Sequence, residues 1–258
     1  MTSRVALGAG VSIRVGVSVS RSICVTSMRV CAADTCHCRS SRTQVLNSYL
    51  CLDENPDRPD AFACEPFVVR FSLPSKGECV PGHLVLLGGE WSRGEAEISA
   101  LYNVFLDVQA RWGTEDIMFL GDFNTDCGYV AKKRWGQIQL RREPGFHWLI
   151  GDAANTTARN STHCAYDRIV VHGERCLGLV VPGSAQPFDF PGTFGLTETE
   201  ALKVSDHYLV EVQLELNAAP TGPCPAAPGR AGGLALTSLL GARTGTEGLE
   251  CKPTCRTL

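Results

Sequence analysis

Long apolar runs are missing from this sequence of 258 residues. No stretch reaches the roughly 18 apolar residues that a membrane-spanning helix needs, so we predict no stable membrane span. Arg14 and Arg21 interrupt the apolar stretch that begins at Val5, so the sequence lacks the continuous segment of a clean signal peptide. The final CKPTCRTL is polar, whereas a lipid-anchor signal ends in an apolar segment. We therefore expect a soluble chain.

A strong charge of either sign is also missing. The 24 Lys and Arg residues nearly balance the 27 Asp and Glu residues, which leaves a formal charge of -3. This balance excludes a protein that holds nucleic acid by bulk charge, so any phosphate contact must be local. The hydrophobic content of 44% is ordinary for a globular protein and allows a sizeable core.

Cysteine, in contrast, is abundant. An odd count of 13 leaves at least one thiol unpaired or bonded to another molecule, and the number favours an oxidising compartment. Asn155 and Asn160 each begin an acceptor sequon for N-glycosylation. The sequons agree with a secretory route, although such tripeptides also occur by chance.

Residues 1–40 are rich in Ser, Val, Arg and Cys and show neither helical nor strand alternation over a useful length. We predict an unrelated or disordered segment there; an organelle transit peptide is the alternative, but amphipathic spacing is not evident. A cluster near its end could suggest a metal site. No second ligand pair at zinc spacing follows, which favours unstructured cysteines. The cluster consists of Cys31, Cys36, His37 and Cys38.

Residues 41–216 have the texture of a layered α/β domain, and residues 217–258 are a Pro-, Gly- and Ala-rich stretch that we predict to be a disordered tail. Glu95–Trp112 places apolar residues at helical spacing, and Thr197 with Glu200 forms a capping-box pattern. Branched and aromatic residues predict strands in five further stretches. They are Thr43–Leu52, Pro66–Leu73, His83–Leu87, Cys164–His172 and His207–Leu216.

The stretch DIMFLGDFN carries the first candidate site. Its apolar run, Ile117–Leu120, predicts a buried strand that delivers Asp122 and Asn124 to a loop edge. Residues two apart on an extended chain face the same way, so both side chains can converge on one ligand. An Asx-rich turn that caps its own backbone is the alternative interpretation.

Two further polar clusters lie at the ends of predicted strands. Asp167 lies in CAYDRIV, and Asp206 and His207 lie in SDHY. Carboxylates can hold a hard divalent cation, and a histidine can carry protons or stabilise phosphorane oxygens. Together with Asp122 and Asn124, these residues predict metal-assisted hydrolysis of a phosphodiester.

Longer motifs carry a resemblance to a known family. ALYNVFLDV, FLGDFNTDC, EPGFHWLI, THCAYDRIVVHGERC, FDFP and EALKVSDHYLVEVQLEL resemble the deoxyribonuclease I family within the endonuclease/exonuclease/phosphatase superfamily. The resemblance covers residues 41–216. It implies a four-layer α/β sandwich with two face-to-face sheets between helices. It also implies hydrolysis of DNA with Mg2+, supported by Ca2+, in the endoplasmic reticulum or after secretion.

The resemblance assigns roles to individual residues. It implies that Asp122 activates or positions the attacking water and that Asn124 holds the scissile phosphate. Asp206 would be a metal-site carboxylate, together with Asp122. His207 would act at the phosphate, with Asp167 orienting it and raising its pKa by attraction.

Two further expectations come from the same resemblance. Thr157 stands where the family has a phosphate-contacting threonine. Cys127 and Cys164 match a disulfide pair of the family, which would close a loop of 37 residues and contribute a few kcal/mol.

A basic cluster follows DIMFLGDFN. It is either a phosphate-contacting edge or a solvated helix face, and the solvated face is favoured. It consists of Lys132, Lys133, Arg134, Arg141 and Arg142.

The sequence departs from the family pattern at several points. Residues 1–40 lack the strands that end in the family's Asn and metal-binding Glu, so half of the first sheet is expected to be missing. After the LVLL strand, where the family has a His that pairs with a Glu, stands Gly88-Gly89-Glu90-Trp91, and Cys64 replaces an Arg. Because such groups act as a unit, we predict an impaired nuclease. The alternative is a non-catalytic member that binds DNA or a protein.

Overall fold

The structure, a computed structural model, describes residues 11–18, 22–25, 28–31, 44–51, 61–62, 65–73, 83–91 and 95–216. The expectations for Cys36, His37, Cys38, Cys64 and the tail from residue 217 lie outside these ranges. The strands are β1 (Val11–Ser18), β2 (Ser22–Val25), β3 (Met28–Cys31), β4 (Gln44–Leu50), β5 (Phe67–Ser72), β6 (His83–Glu90), β7 (Ile117–Asp122), β8 (Phe146–Trp148), β9 (Asp167–His172), β10 (Gln186–Phe188) and β11 (Leu209–Leu216). The helices are α1 (Glu95–Trp112), α2 (Gln139–Arg142), α3 (Glu174–Leu179), α4 (Phe190–Phe194) and α5 (Glu198–Val204), with a 3-10 helix at Lys132–Gln137.

The larger sheet has six strands in the order β4-β5-β6-β7-β9-β8. β6 and β7 run parallel, because α1 connects them, and the other neighbours run antiparallel. Every residue of β7 is buried, as its continuous apolar run predicts for a central strand covered on both faces. The ends of β6 and β7 and the start of β9 therefore meet at one edge of this sheet.

One face of the larger sheet packs against the smaller sheet. Leu86, Leu120 and Ile169 belong to the same buried cluster as Val210 and Val212 of β11. Burying such side chains stabilises a fold by about 1.5–3 kcal/mol each. The two sheets therefore lie face to face, as the α/β class predicts.

The other face of the larger sheet packs against α1. Ile98, Leu101 and Val108 of the helix share a buried cluster with Leu87 and Phe119 of the sheet. Their spacings of three and seven residues place them on one side of the helix. The helix extends over the predicted range, with Glu95 and Glu97 in its first turn and Arg111 in its last, which suits the helix dipole.

The structure differs from the expectation that residues 1–40 form no regular structure. β1, β2 and β3 complete a five-stranded sheet in the order β10-β11-β1-β2-β3. β1 pairs with β11 from Val11↔Leu216 to Val17↔Val210. β1, β2 and β3 end at Ser18, Val25 and Cys31 and not at an Asn or a Glu, so the absence of those two family strands stays a prediction. Alternation in β1 covers only eight residues, and its partner lies nearly 200 positions away, so the ladder was not visible locally.

The predicted α/β class with two facing sheets and flanking helices is confirmed. The fourth layer stays a prediction. The capping box of α5 is present, since Glu200 N donates to Thr197 Oγ1 and Thr197 N donates to Glu200 Oε2. Among the described residues, no helix combines the length and apolar character needed to cross a membrane.

Candidate active site

Three acidic residues lie side by side on adjacent strands. Glu90 ends β6 beside Asp122 at the end of β7, and Asp122 pairs with Asp167 at the start of β9. Trp91 and Phe123, the next residues of the first two strands, contact each other on the helix-facing side, with ring centroids 4.6 Å apart. Because side chains alternate along a strand, Glu90 and Asp122 project from the opposite face.

His207 lies against two of these acids. Its Nδ1 is 2.8 Å from Asp167 Oδ2 and 4.0 Å from Asp122 Oδ2. The residues before β11 place the imidazole, because His207 forms an isolated bridge with Thr157 and Tyr208 N donates to Thr156 O. Tyr166 also stacks on the ring, with centroids 5.7 Å apart. The structure thus brings two predicted acids and the predicted histidine into one cluster.

Asn124 completes this cluster through its backbone. Its φ of 46° lies in the left-handed region, which asparagine tolerates better than most residues. Asn124 N donates to Asp122 Oδ1 at 2.9 Å, and its Nδ2 lies 3.5 Å from Trp91 O. The Asx turn is therefore present, but it uses only Oδ1 of Asp122, while Oδ2 faces His207. The turn interpretation of the GDFN stretch is therefore confirmed, while the convergence of both side chains on one ligand stays a prediction.

Burial and mutual repulsion control the ionisation of the cluster. Burial, and then the charge of Asp167, raise the pKa of Asp122 to about 7. Burial also raises the pKa of Asp167, while the bond from His207 opposes that rise. Burial alone would lower the pKa of His207, but the bond to Asp167 and the charges of Asp122 and Asp206 outweigh it and raise it to about 8.

Asp206 and Thr157 occupy different surroundings. The Asp206 side chain is 51% exposed, and its Oδ2 lies 3.9 Å from Arg159 Nη2 at the rim of the site. The Thr157 hydroxyl lies 2.7 Å from Asn155 Oδ1 and 2.8 Å from Thr162 O, so its single proton can donate to either acceptor of its own loop, and Thr157 is only 4% exposed. A phosphate contact by this hydroxyl would need those bonds to break, so that role stays a prediction.

The loop after β7 is covalently tied to the segment before β9. Cys127 and Cys164 form a disulfide with Cα atoms 5.8 Å apart, which confirms the predicted pair. Asp126 Oδ2 also accepts a hydrogen bond from Ala165 N. Asn124 and Asp167 therefore belong to segments that cannot separate without breaking this link.

Comparisons with known proteins agree with this geometry. The profile of the Endonuclease/Exonuclease/phosphatase family matches residues 37–207. The chain belongs to this family. It is 54% identical over 182 residues to Deoxyribonuclease-1-like 1 of Chlorocebus aethiops, covering 70% of this chain and 58% of that protein. It is 50% identical over 178 residues to Deoxyribonuclease-1 of Sus scrofa, covering 69% of this chain and 62% of that protein. Among solved structures, the endonuclease/exonuclease/phosphatase from Bacteroides vulgatus aligns with a TM-score of 0.46 and 16% identity. The alignment covers 80% of this chain and 77% of that chain. The chain thus spans less than two thirds of either curated relative.

The three arginines of the basic cluster pair with acids. Arg134 pairs with Glu95 at 2.6 Å, and Arg142 pairs with Glu143 at 2.7 Å. Arg141 pairs with Asp152, and its guanidinium lies 4.0 Å from the ring centroids of both Trp135 and Trp148. These contacts favour a structural role over a phosphate-contacting edge. A cleft of about 440 Å³ adjoins the stack and is lined by Asp126, Trp135, Gly136, Arg141 and Asp152.

Three residues of this region were not among the predicted site residues. Arg168 is fully buried behind Asp167 and donates to Ile150 O and Asp152 Oδ1. Glu90 lies in the stretch Gly88-Gly89-Glu90-Trp91, where the family resemblance leads one to expect a histidine, and its charge adds to the burial and the Asp167 charge that raise the pKa of Asp122. Arg159 lies beside Asp206. Strand alternation could have placed Arg168 opposite Asp167, but no local signal identifies the partners of the other two.

The donors of the cluster suit a hard cation, although the set is incomplete. Carboxylate oxygens are the ligands that Mg2+ and Ca2+ prefer. Asp167 Oδ1 is buried without a hydrogen-bond partner, as expected of an acceptor that awaits a further group. Across the residues that the structure describes, however, no three His, Cys, Asp or Glu side chains are spaced to hold one metal ion.

Proposed function

We propose that this chain carries a DNA phosphodiesterase site of the deoxyribonuclease type, acting as an endonuclease. The observation that carries the proposal is the arrangement of His207, with Nδ1 at 2.8 Å from Asp167 and 4.0 Å from Asp122. Similarity to Deoxyribonuclease-1-like 1 and Deoxyribonuclease-1 supports DNA as the substrate.

His207 and Asp122, the two groups with raised pKa values, have different roles in this proposal. Because Nδ1 of His207 is bonded to Asp167, Nε2 is the nitrogen that remains for substrate. A pKa of about 8 keeps the imidazole protonated at neutral pH, so Nε2–H can donate to a phosphate oxygen or a leaving group. The pKa of about 7 suits Asp122 to accept a proton from the attacking water. The amide of Asn124 would hold the scissile phosphate.

A divalent cation belongs to this proposal. Asp122 and Asp206 would hold Mg2+, with Ca2+ in support, and the ion would supply Lewis-acid charge neutralisation at the phosphate. Burial and then the charge of Asp167 raise the pKa of Asp122, and a cation at this carboxylate would offset both effects. Asp167 Oδ1, buried without a partner, supports the same view.

We further propose that the catalytic rate is low. The stretch Gly88-Gly89-Glu90-Trp91 lacks the expected histidine, and no metal-site Glu was found in residues 1–40. When catalytic groups act together, removing one of them lowers the reaction rate by several powers of ten. A non-catalytic member that binds DNA or a protein partner is the alternative, and the same observation favours it.

Nicking of supercoiled plasmid in Mg2+ and Ca2+ tests the activity. The wild-type chain is expected to nick slowly, while Asp122→Ala and His207→Ala are expected to show no nicking above buffer. Arg111→Ala is the matched control, because Arg111 lies near the end of α1, at the opposite end of β7 from Asp122. Wild-type nicking equal to that of Asp122→Ala would contradict the endonuclease and support the non-catalytic alternative.

An oxidising compartment, the endoplasmic reticulum or the exterior of the cell, is part of the proposal. The Cys127–Cys164 disulfide and the sequons at Asn155 and Asn160 support it. Expression in mammalian cells with and without glycosidase treatment provides the test. A mobility shift that Asn155→Gln/Asn160→Gln abolishes is expected, and a cytosolic chain without glycans would contradict the proposal.

A further inference from the structure

Arg168 is a fully buried cation that lies behind the acidic cluster. It follows Asp167 in β9 and pairs with Gly121 of β7. Because side chains alternate along a strand, Arg168 projects from the face opposite to Asp167. There its guanidinium lies 5.7 Å from the ring centroid of Trp135 and 5.8 Å from that of Trp148. Arg168 therefore belongs to the interior of the domain and does not contact a substrate in the cluster.

The ion pair of Arg168 explains little of its presence there. Burial lowers the pKa of Arg168, because it penalises the charged form. The acidic partner, Asp152, has a side chain that is 60% exposed, and solvent weakens an ion pair with such a carboxylate. Well-packed apolar residues often stabilise a core at least as well as a buried ion pair does. The distinctive feature of Arg168 is therefore the set of segments that its hydrogen bonds connect.

These hydrogen bonds connect segments that surround the site. Arg168 Nε donates to Thr125 Oγ1 at 3.1 Å, in the loop after β7. Its Nη1 donates to Ile150 O at 2.9 Å and to Asp152 Oδ1 at 3.0 Å, both in the segment after β8. Thr125 is fully buried as well, and its hydroxyl donates to Ala165 O at 3.4 Å, just before β9. Two buried polar side chains thus tie the loop after β7 to β9.

Through Thr125 this network reaches Asn124, the next residue along the chain. The φ of 46° at Asn124 is a conformation that costs a residue other than glycine free energy, so it has to be held in place. On one side, Asn124 N donates to Asp122 Oδ1 at 2.9 Å. On the other side, Thr125 is held by Arg168. The disulfide at Cys127 restrains the same loop further along, so the Thr125 hydroxyl is the nearer restraint.

We propose that Arg168 is a positioning residue, which holds Asn124 through the Thr125 hydroxyl so that the Asn124 amide meets the scissile phosphate. The proposal rests on the proposed function, since it concerns the same phosphate at the same site. A displacement of about 1 Å in a reacting geometry can cost about 100-fold in rate. Loss of the Arg168–Thr125 bond should therefore lower the rate of cleavage. DNA binding should change little, because it also depends on other phosphate contacts.

Substitutions at Thr125 test the bond without removing the buried arginine. Thr125→Val keeps the shape of the side chain but removes the hydroxyl, whereas Thr125→Ser keeps the hydroxyl. In plasmid nicking with Mg2+ and Ca2+, Thr125→Val should lower kcat about 10–100-fold and leave KM within about twofold. Thr125→Ser should retain kcat within about threefold.

Arg168→Lys tests the other partner of the bond, because it keeps the charge and loses the guanidinium Nε. Its kcat should fall as in Thr125→Val. The double variant should lose little more than either single variant, since both changes remove one bond. A double variant whose losses in kcat add fully would overturn the proposal. If Arg168→Lys does not fold, the two Thr125 variants decide alone.

Val108→Ala is the control for lost stability. Val108 is fully buried in α1, and its truncation leaves a cavity without removing any hydrogen bond of Arg168 or Thr125. Its kcat should equal that of the wild type under conditions in which it is folded. An equal fall of kcat in Val108→Ala, or a wild-type kcat in Thr125→Val, would overturn the proposal and leave the endonuclease itself standing.

Amide hydrogen exchange measures the restraint on Asn124 without any cleavage. The Asn124 N–H that donates to Asp122 should exchange about tenfold faster in Thr125→Val than in the wild type, and Thr125→Ser should match the wild type. The exchange is followed by NMR in EDTA at a temperature where circular dichroism shows each variant folded. Unchanged exchange in Thr125→Val would overturn the positioning of Asn124. A wild type that nicks no faster than Asp122→Ala would contradict the endonuclease and the phosphate contact, while the exchange rates would still decide whether Thr125 restrains Asn124.

Discussion

Asp167 Oδ2 accepts a hydrogen bond from His207 at 2.8 Å, and this bond determines the charge of the imidazole. Burial by itself lowers the pKa of His207, so the rise to about 8 depends on the carboxylate beside it. Because the folded pKa exceeds the ordinary value of 6.5, the pair stabilises the fold fully below about pH 6.5. That contribution is lost as the pH rises through about 8.

Removing the carboxylate charge of Asp167 should lower the pKa of His207 from about 8 towards its ordinary value of 6.5. In Asp167→Asn, burial remains while the strongest opposing interaction is lost. The pKa can be measured by NMR titration of the imidazole protons of His207 in EDTA, with the wild type titrated in parallel. A His207 resonance that still titrates near pH 8 in this variant would show that Asp167 does not control the imidazole.

Neutralising Asp122 should stabilise the fold at neutral and higher pH. The folded pKa of about 7 exceeds the ordinary 3.8, so the folded state holds a proton that the unfolded state releases. Wild-type stability therefore falls as the pH rises from about 4 to about 7. Asp122→Asn lacks this pH-dependent loss of stability and keeps an acceptor for Asn124 N. At pH 8 its free energy of unfolding should exceed that of the wild type by on the order of 2 kcal/mol.

Urea unfolding in EDTA at pH 4 and pH 8 measures this gain. The free energies of unfolding of the wild type and of Asp122→Asn should be nearly equal at pH 4 and should differ at pH 8. Added Mg2+ should stabilise the wild type more than Asp122→Asn, because the ion relieves the repulsion that the variant already lacks. A variant that is less stable at pH 8 would contradict the raised pKa of Asp122.

Local patterns were sufficient to predict the centre of this fold. The apolar run of β7 and the helical spacing of α1 depend on neighbouring residues, and both elements occur where expected. The alternation of β11 predicted a strand over His207–Leu216, of which Leu209–Leu216 forms one. The order of acids and histidine along the chain was enough to suggest one site, because all of them lie at strand ends.

Long-range pairing was not visible in the sequence. β1 owes its place to a ladder with β11, and its eight residues carry too little pattern to show that. Likewise, no local signal shows that Arg159 lies beside Asp206, since the two residues are 47 positions apart and meet through a loop contact. The resemblance named Asp206 as a metal ligand, while the structure places its half-exposed carboxylate at the rim.

Loss of the Cys127–Cys164 bond should destabilise the domain by about 3–4 kcal/mol, because the bond closes a loop of 37 residues in the unfolded chain. Cys127→Ala, Cys164→Ala and the double variant should lose similar amounts, since each removes the same cross-link. Urea unfolding measures the loss. Single variants that keep wild-type stability would show that the bond does not restrain the unfolded chain.

The stacked arginine should matter more to stability than its neighbour. Arg141 lies between Trp135 and Trp148 and pairs with Asp152, whereas Arg142 is 57% exposed and pairs with Glu143. Arg141→Ala should cost about 1–3 kcal/mol through lost stacking and pairing, and Arg142→Ala less than about 0.5 kcal/mol. Thermal unfolding compares the two, and equal losses would contradict the importance of the stack.

Substitutions at Asn124 can separate its backbone role from its amide. Its φ of 46° costs alanine about 1 kcal/mol or more, whereas glycine adopts it freely, so Asn124→Ala should be less stable than Asn124→Gly. Both variants keep the N–H that donates to Asp122 Oδ1, and both lose the side-chain amide. If the amide holds the phosphate, nicking should fall equally in both, despite their different stabilities. If Asn124 serves only the turn, Asn124→Gly should nick DNA at the wild-type rate, because the turn it needs is intact.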